Sequence, residues 1–385
     1  TQMDKDLLNS ICFKYFTTTP TPTTTTPKPT TTPIPPTTTY IFSYIKQYGK
    51  GLNISDFDDL QSYIKHHTNI SISDDGNIIA ASDSLYMNKK GIVKIFKFNK
   101  KNNTWTKMGN DILGEEELDN SGVSISLSGN GQRIAIGAHH NSENGKHTGH
   151  VRMYEYSSNT KIWNKMGFDI DGEEIKEASG YSVSLSKDGK GLAIGSYGKN
   201  YGSDGKPKVK IYYYSSSGEK WNFLQEFEGE KIEDAKGGGI NVSLSGDGSS
   251  VSFGLPYNDG LFENAGHTLI YKYGTGPSGE MVKIGEIDGE AINENSGHSV
   301  SMSENGKILA IGAPFNKGKA SQNAGQVRVY EKKNGNWVKL GNNINGKQNN
   351  DETGYSISLS GDGKRLAIGA RTYFKICEFI NGKWV

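Results

Sequence analysis

Four histidines crowd the segment "HHNSENGKHTGH", at His139, His140, His147 and His150. Three or four imidazoles in one loop could hold zinc or copper. Yet His150 occupies a position that His267 and Gln326 fill elsewhere in the chain, and His298 stands where Tyr181 and Tyr355 do. The four are therefore expected to be solvent-exposed loop histidines, and no metal ligand is assigned. Acidic runs raise a second possibility: "GEEELD", "DGEEIKE", "EGEKIED" and "DGEAINE". A pair of carboxylates can hydrolyse a glycosidic bond, but a catalytic pair is singular, and these runs recur at one place in successive repeats. They are expected to be solvated links. The chain has five Arg, of which Arg133 and Arg365 are repeat-equivalent, so an arginine cluster for a carboxylate substrate is not expected either. No glycine-rich stretch follows a strand and opens a helix, so a phosphate cradle lacks its context. No catalytic residue and no cofactor is assigned, and the chain is expected not to be an enzyme.

The elements that would position these residues are set by a repeat. One phrase occurs six times: "NISISDDGNIIAAS", "SISLSGNGQRIAIGA", "SVSLSKDGKGLAIGS", "NVSLSGDGSSVSFGL", "SVSMSENGKILAIGA" and "SISLSGDGKRLAIGA". The first apolar residues are Ile70, Ile125, Val183, Val242, Val300 and Ile357, a period of about 58 residues. Each period holds four strand-like pieces. In the third, Tyr181 to Ser186 alternates apolar and Ser, Lys187-Asp188-Gly189 turns, and Leu192 to Gly195 returns. "VKIYYY" (209–214) and "WNFLQEF" (221–227) follow a polar loop. No stretch keeps a helical period. Six copies of a four-stranded antiparallel sheet predict an all-β, six-bladed β-propeller, with a seven-bladed ring as the alternative. Ser-x-Ser pairs such as Ser184 and Ser186 suit the crowded axis. Trp105, Trp163, Trp221, Trp337 and Trp384, with Met281 in the fourth copy, suit an outer strand that covers the next blade. Residues 40–54, "YIFSYIKQYGKGLNI", are expected to supply an outer strand to the last blade and close the domain, 40–385.

The phrase "SGYSVSLS", its glycine turn and "LAIGA", followed by "GHVRMYEY" or "GQVRVYEK", resembles the FG-GAP-type repeat of integrin α-subunit propellers. Gly180-Tyr181 stands at the FG position and Gly312-Ala313-Pro314 at the GAP position. The resemblance implies a propeller, often in a secreted protein. Metal-binding members carry several Asp between the first two strands. Here the turns read "SDDGN", "SGNGQ", "SKDGK", "SGDGS", "SENGK" and "SGDGK". That is too few carboxylates for calcium's six to eight oxygens, so Asp75, Asp188, Asp247 and Asp362 are read as turn formers.

Ahead of the repeats lie an apolar segment, 1–16, and a Thr/Pro tract, 17–39. The tract predicts an extended polyproline rod of roughly 70 Å, a composition typical of O-glycosylated stalks. The candidate acceptors are Thr17, Thr18, Thr19, Thr21, Thr23, Thr24, Thr25, Thr26, Thr30, Thr31, Thr32, Thr37, Thr38 and Thr39. Asn102 and Asn53 are the candidate N-glycosylation sites, while the sequons at Asn69 and Asn241 fall in inner strands. The chain has two cysteines, and Cys12 in "ICFKYF" echoes Cys377 in "YFKICEF". They are either two buried thiols or a disulfide, within one molecule or between neighbours. A net charge of +1 in 385 residues argues against nucleic acid as a partner, and no apolar run is long enough for membrane insertion. The expectation is a non-catalytic extracellular or cell- or virion-surface protein acting in structure, adhesion or a head-to-tail filament. Its partners would be its own copies or surface proteins and glycans. A glycan- or ligand-binding module is the alternative, and a propeller enzyme ranks third.

Overall fold

The computed structural model describes residues 68–385, except 204, 230–239, 260, 275–279, 318–321 and 372. The segment 1–16, the Thr/Pro tract, residues 40–54, Asn53 and Cys12 lie outside the described residues.

The described residues form a six-bladed β-propeller of antiparallel sheets. The inner strands are Thr68–Ile72, Ser124–Leu127, Ser182–Leu185, Asn241–Leu244, Ser299–Met302 and Ser356–Leu359. Each pairs with a second strand, then a third, then a fourth. In blades 3 and 4 the fourth strand runs on through a bulge. In blades 1, 2 and 5 it stops, and a two-residue strand pairs farther along the third: Ile112–Leu113, Ile170–Asp171 and Ile344–Asn345. In the last blade the fourth strand is the two-residue Lys383–Trp384, paired with Phe379 and Ile380. No helix among the described residues is long and apolar enough to cross a membrane.

The serines explain how blades join. In every inner strand but the last, a serine offers its hydroxyl to the next blade. Ser71 accepts from Leu127 N–H, Ser126 from Leu185, Ser184 from Leu244, Ser243 from Met302 and Ser301 from Leu359, at 2.9–3.0 Å. The next serine along builds the turn. Ser186 Oγ donates to Asp188 Oδ1 at 2.6 Å and accepts from Gly191 N–H at 2.7 Å, while Asp188 accepts from Lys190 N–H. Asp75, Asn130, Asp247, Asn305 and Asp362 repeat that bonding, which is the turn-forming role expected of the aspartates.

Apolar side chains of facing blades fill the joints, for example Ile78, Val93 and Ile95 of blade 1 against Leu127, Ile134 and Ile136 of blade 2. Farther out, tryptophans lie across the neighbouring blade. Trp163 Nε1 donates to Met108 O and Trp384 Nε1 to Leu340 O, both at 2.8 Å. One joint differs. Ile72 is 56% exposed, whereas its equivalents Leu127, Leu185, Leu244, Met302 and Leu359 are buried. Ile376 on the facing side of blade 6 is also exposed.

The acidic links are not simply solvated, which corrects the sequence reading. Glu177 and Glu294 are fully buried. Glu177 accepts from Glu173 and Glu174 N–H and pairs with Lys210 Nζ at 3.3 Å. Glu294 pairs with Arg328, the largest fully buried side chain. These two links thus fold around their own carboxylates, which then neutralise cations on the third strands.

Candidate active site

The inner strand of each blade starts, and the second strand ends, at the same end of the ring. Residues flanking those points therefore converge at one mouth of the axis. The short turns converge at the other. At the turn end, Lys187 of blade 3 reaches Asp74 of blade 1 at 2.8 Å and Glu304 of blade 5 at 3.1 Å. Its ammonium is held above the usual lysine range by those two hydrogen bonds. A depression of about 490 Å³ there is lined by Asp74, Gly129, Lys187 and Asp247 among others. The aspartates Asp188 and Asp247 on its wall are committed to their turns.

The opposite mouth carries imidazoles and phenols. His139 and His140 follow the second strand of blade 2, Arg133–Ala138. His147 comes from the succeeding loop, in the left-handed region at φ 51°. Tyr197 and Tyr201 follow the second strand of blade 3, Gly191–Ser196, and Tyr181 precedes its inner strand. The rings form a continuous cluster. His139 and His140 have centroids 3.9 Å apart, and His140 stacks on His147 at 4.8 Å. Tyr201 lies 6.0 Å from both His140 and His147 and is hydrogen-bonded through its hydroxyl to His147 Nδ1. Tyr181 meets Tyr197 edge-on at 4.7 Å. Lys176 sits over the Tyr201 ring at 5.9 Å. Across the axis, His298 packs on Tyr355 at 4.6 Å and receives support from Phe315.

These imidazoles are held neutral. Burial, then the His147 ring and Lys89, brings His140 down to about 4. Burial lowers His147, with Lys146 and Lys176 adding to it, and burial lowers His298. The phenols move the other way: burial raises Tyr181, Tyr201 and Tyr257, keeping them protonated donors. Asn120 sets the tautomer of His140. Its amide nitrogen donates to Ser84 O, so its Oδ1 faces His140 Nδ1 at 2.9 Å and takes the ring proton. The basic nitrogen of His140 is then Nε2. An uncharged base beside phenolic donors and an ammonium can remove a proton from water and stabilise a developing oxyanion.

The structure thus corrects the histidine reading. His150 is a strand residue with no exposure, and His140 and His147 are partly buried within an aromatic cluster rather than free in solvent. The signal was present in the sequence: His298, Tyr181 and Tyr355 share one repeat position at the start of an inner strand. Of the expected modification sites, Asn102 is exposed in the turn between the third and fourth strands of blade 1. Asn69 and Asn241 spend their amide nitrogens on Val123 O and His298 O of the following blades. Cys377 is buried between Leu366, Ile368 and Trp384, and burial raises its thiol.

The sequence matches no protein-family model and no curated protein. The fold superposes on solved propellers. A periplasmic gluconolactonase of Pseudomonas aeruginosa is 12% identical, with 84% of this chain and 85% of that chain covered at a TM-score of 0.53. A putative 6-phosphogluconolactonase of Bacteroides uniformis is 12% identical over 82% of each chain at 0.55. A second, from Bacteroides fragilis, is 14% identical over 82% and 81% at 0.52. At such identity the likeness is one of fold. The expectation of a non-catalytic structural, adhesion or filament protein is corrected on this finding: these neighbours bear the names of lactonases, and none of them is named for adhesion or a filament.

Proposed function

We propose that the chain is a propeller hydrolase that opens a small, sugar-derived lactone at the His140–His147–Tyr201 mouth. The observation that carries the reading is a pair of stacked, neutral imidazoles beside a protonated tyrosine. The names of the structural neighbours support the substrate class. In the reaction, His140 Nε2 takes a proton from water as the water oxygen bonds to the lactone carbonyl carbon. Tyr201 and Lys176 stabilise the oxyanion. The ring C–O bond then breaks, His140 returns its proton to the departing alkoxide, and a hydroxy acid results. The aromatic rings of Tyr181, Tyr197 and His147 provide faces for the C–H surface of a sugar ring.

The test is proton release from glucono-δ-lactone in weakly buffered solution. We expect a rate above the spontaneous one, falling about 100-fold or more in His140→Gln and roughly 10-fold in Tyr201→Phe. Because the base works unprotonated, the rate is expected to stay level from pH 7 down to about 5 and to fall as pH drops through about 4. No rate above the blank, or an unchanged His140→Gln, overturns the reading.

We also propose that the repeats are of the FG-GAP type. Support comes from the two glycines of the phrase: a Cβ on Gly137 would lie 2.0 Å from Gly180 O, and one on Gly312 would lie 2.2 Å from Gly354 O. Recovery of the same glycine pair at each blade joint in a sequence-diverse set of such repeats would test it, and a set lacking the pair would count against it.

A further inference from the structure

We propose that blade 2 binds one divalent transition-metal ion, of the zinc type, between His150, Glu115, Glu143 and Asp169, on its outer flank and apart from the His140 mouth. One ligand atom from each of these four residues lies within 4.8 Å of the others. His150 is fully buried, yet neither of its ring nitrogens has a hydrogen-bond partner. Its Nδ1 stands 3.9 Å from Glu115 Oε2 and 3.9 Å from Asp171 Oδ1, too far for a hydrogen bond and open enough for an ion between them. An imidazole buried without a partner is costly, and a bound cation removes that cost.

Charge points the same way. Four carboxylates, Glu115, Glu143, Asp169 and Asp171, share the place with two cations. Lys165 pairs with Asp169 at 2.6 Å and stands 3.9 Å from Glu115, and Arg152 is 3.3 Å from Glu115. The surplus of two negative charges is what one divalent ion cancels. Glu143 is exposed, so it can swing inward to shorten its distance to the ion.

The repeat supplies internal controls. By strand register, His150 in blade 2, Lys208 in blade 3, His267 in blade 4 and Gln326 in blade 5 are equivalent, and His267 faces two carboxylates, Glu286 and Asp288, against four around His150. In blade 3 the cation is built in: Lys208 Nζ lies 3.3 Å from Glu174 and 3.6 Å from Glu226. In blade 5 none is needed, because Gln326 Nε2 donates to Asn345 Oδ1 at 2.7 Å, and Asn345 stands where Asp171 does. Blade 2 keeps the carboxylates and offers an imidazole instead of a lysine. A nitrogen with carboxylate oxygens suits zinc, whereas calcium takes oxygens alone.

The test is metal binding by the full chain after chelation, read by native mass spectrometry and by titration calorimetry with zinc chloride and calcium chloride. We expect one zinc per chain and at least tenfold weaker calcium. His150→Gln with Asp171→Asn copies the blade 5 solution, so it should fold as judged by circular dichroism and lose the zinc. Glu143→Gln should weaken zinc at least tenfold. His147→Gln should leave zinc unchanged, which separates this place from the His140 cluster. Absence of bound zinc in the parent chain, or zinc retained by the folded double variant, overturns the proposal, as does loss of zinc in His147→Gln alone.

Discussion

Ser184 and Ser358 occupy the same position of their repeats and should respond differently to the same change. Ser184 Oγ is the acceptor for Leu244 N–H. Ser184→Ala leaves that amide unpaired and should cost about 1–3 kcal/mol in urea unfolding. Ser358 is exposed, and Ser358→Ala is expected to change stability by no more than about 0.5 kcal/mol. A second contrast concerns Lys210, buried against Glu177. Glu177→Ala should cost about 3 kcal/mol, the low end for a broken buried pair because Glu173 at 3.3 Å and Glu226 at 3.8 Å still face the ammonium, and adding Lys210→Met should recover part of it. The histidines give stability a pH dependence. His140 and His298 have folded pKa values below the unfolded value of 6.5, so the unfolded chain binds their protons first as pH falls. The stability present above pH 6.5 is lost progressively toward pH 4, so the melting temperature should fall across that window and fall less in His140→Gln. At this scale the sequence was half legible. The turn-forming aspartates could be read because Asp-Gly acts locally. The buried roles of Glu177 and His150 could not, because the first depends on Lys210 of the third strand and the second on carboxylates brought in from other segments.

Strands and turns were the most legible level, since alternation and turn chemistry repeat six times over. What periodicity could not show is why the glycines recur. Gly180 has φ +85°, and a Cβ there would lie 2.6 Å from His150 O and 3.1 Å from Gly137 Cα. Two backbones from adjacent blades pass at a distance that a methyl group forbids. Gly180→Ala should therefore lower stability by at least the roughly 1–3 kcal/mol of left-handed strain, measured by thermal unfolding. A loss below about 0.5 kcal/mol would show that the joint yields. The tryptophans were legible as covers for a neighbouring blade, and Trp163 and Trp384 cover glycine-containing strand ends in that manner. The breaks that split the fourth strand in blades 1, 2 and 5 were not anticipated. They fall at Gly109, Gly167 and Gly341, each in the left-handed region.

The ring as a whole was legible in its blade count. The joint between blades 6 and 1 leaves Ile72 and Ile376 exposed among the described residues. The expected closing segment, 40–54, lies outside them, and the last blade's fourth strand pairs only Phe379 and Ile380. Closure by that segment is tested by two truncations. Removal of 1–39 should leave the melting temperature unchanged, and removal of 1–67 should lower it by several degrees. Equal melting temperatures would rule out a closing role for 40–67.

The turn end of the axis holds a sequence of its own. Reading one residue from each blade gives Asp74, Gly129, Lys187, Gly246, Glu304 and Gly361, charge alternating with glycine. Backbone hydrogen bonds link four of the six neighbouring pairs, from Asp74 N–H to Gly129 O through Lys187 N–H to Gly246 O, and from Glu304 N–H to Gly361 O, while Asp247 N–H reaches Glu304 O. The glycines leave room for Lys187 to meet both acids at once. The hub therefore works as a tally. Copying one more repeat into the disc would carry an acid beyond the lysine's reach, so gene duplication could lengthen this protein only by discarding its centre pin.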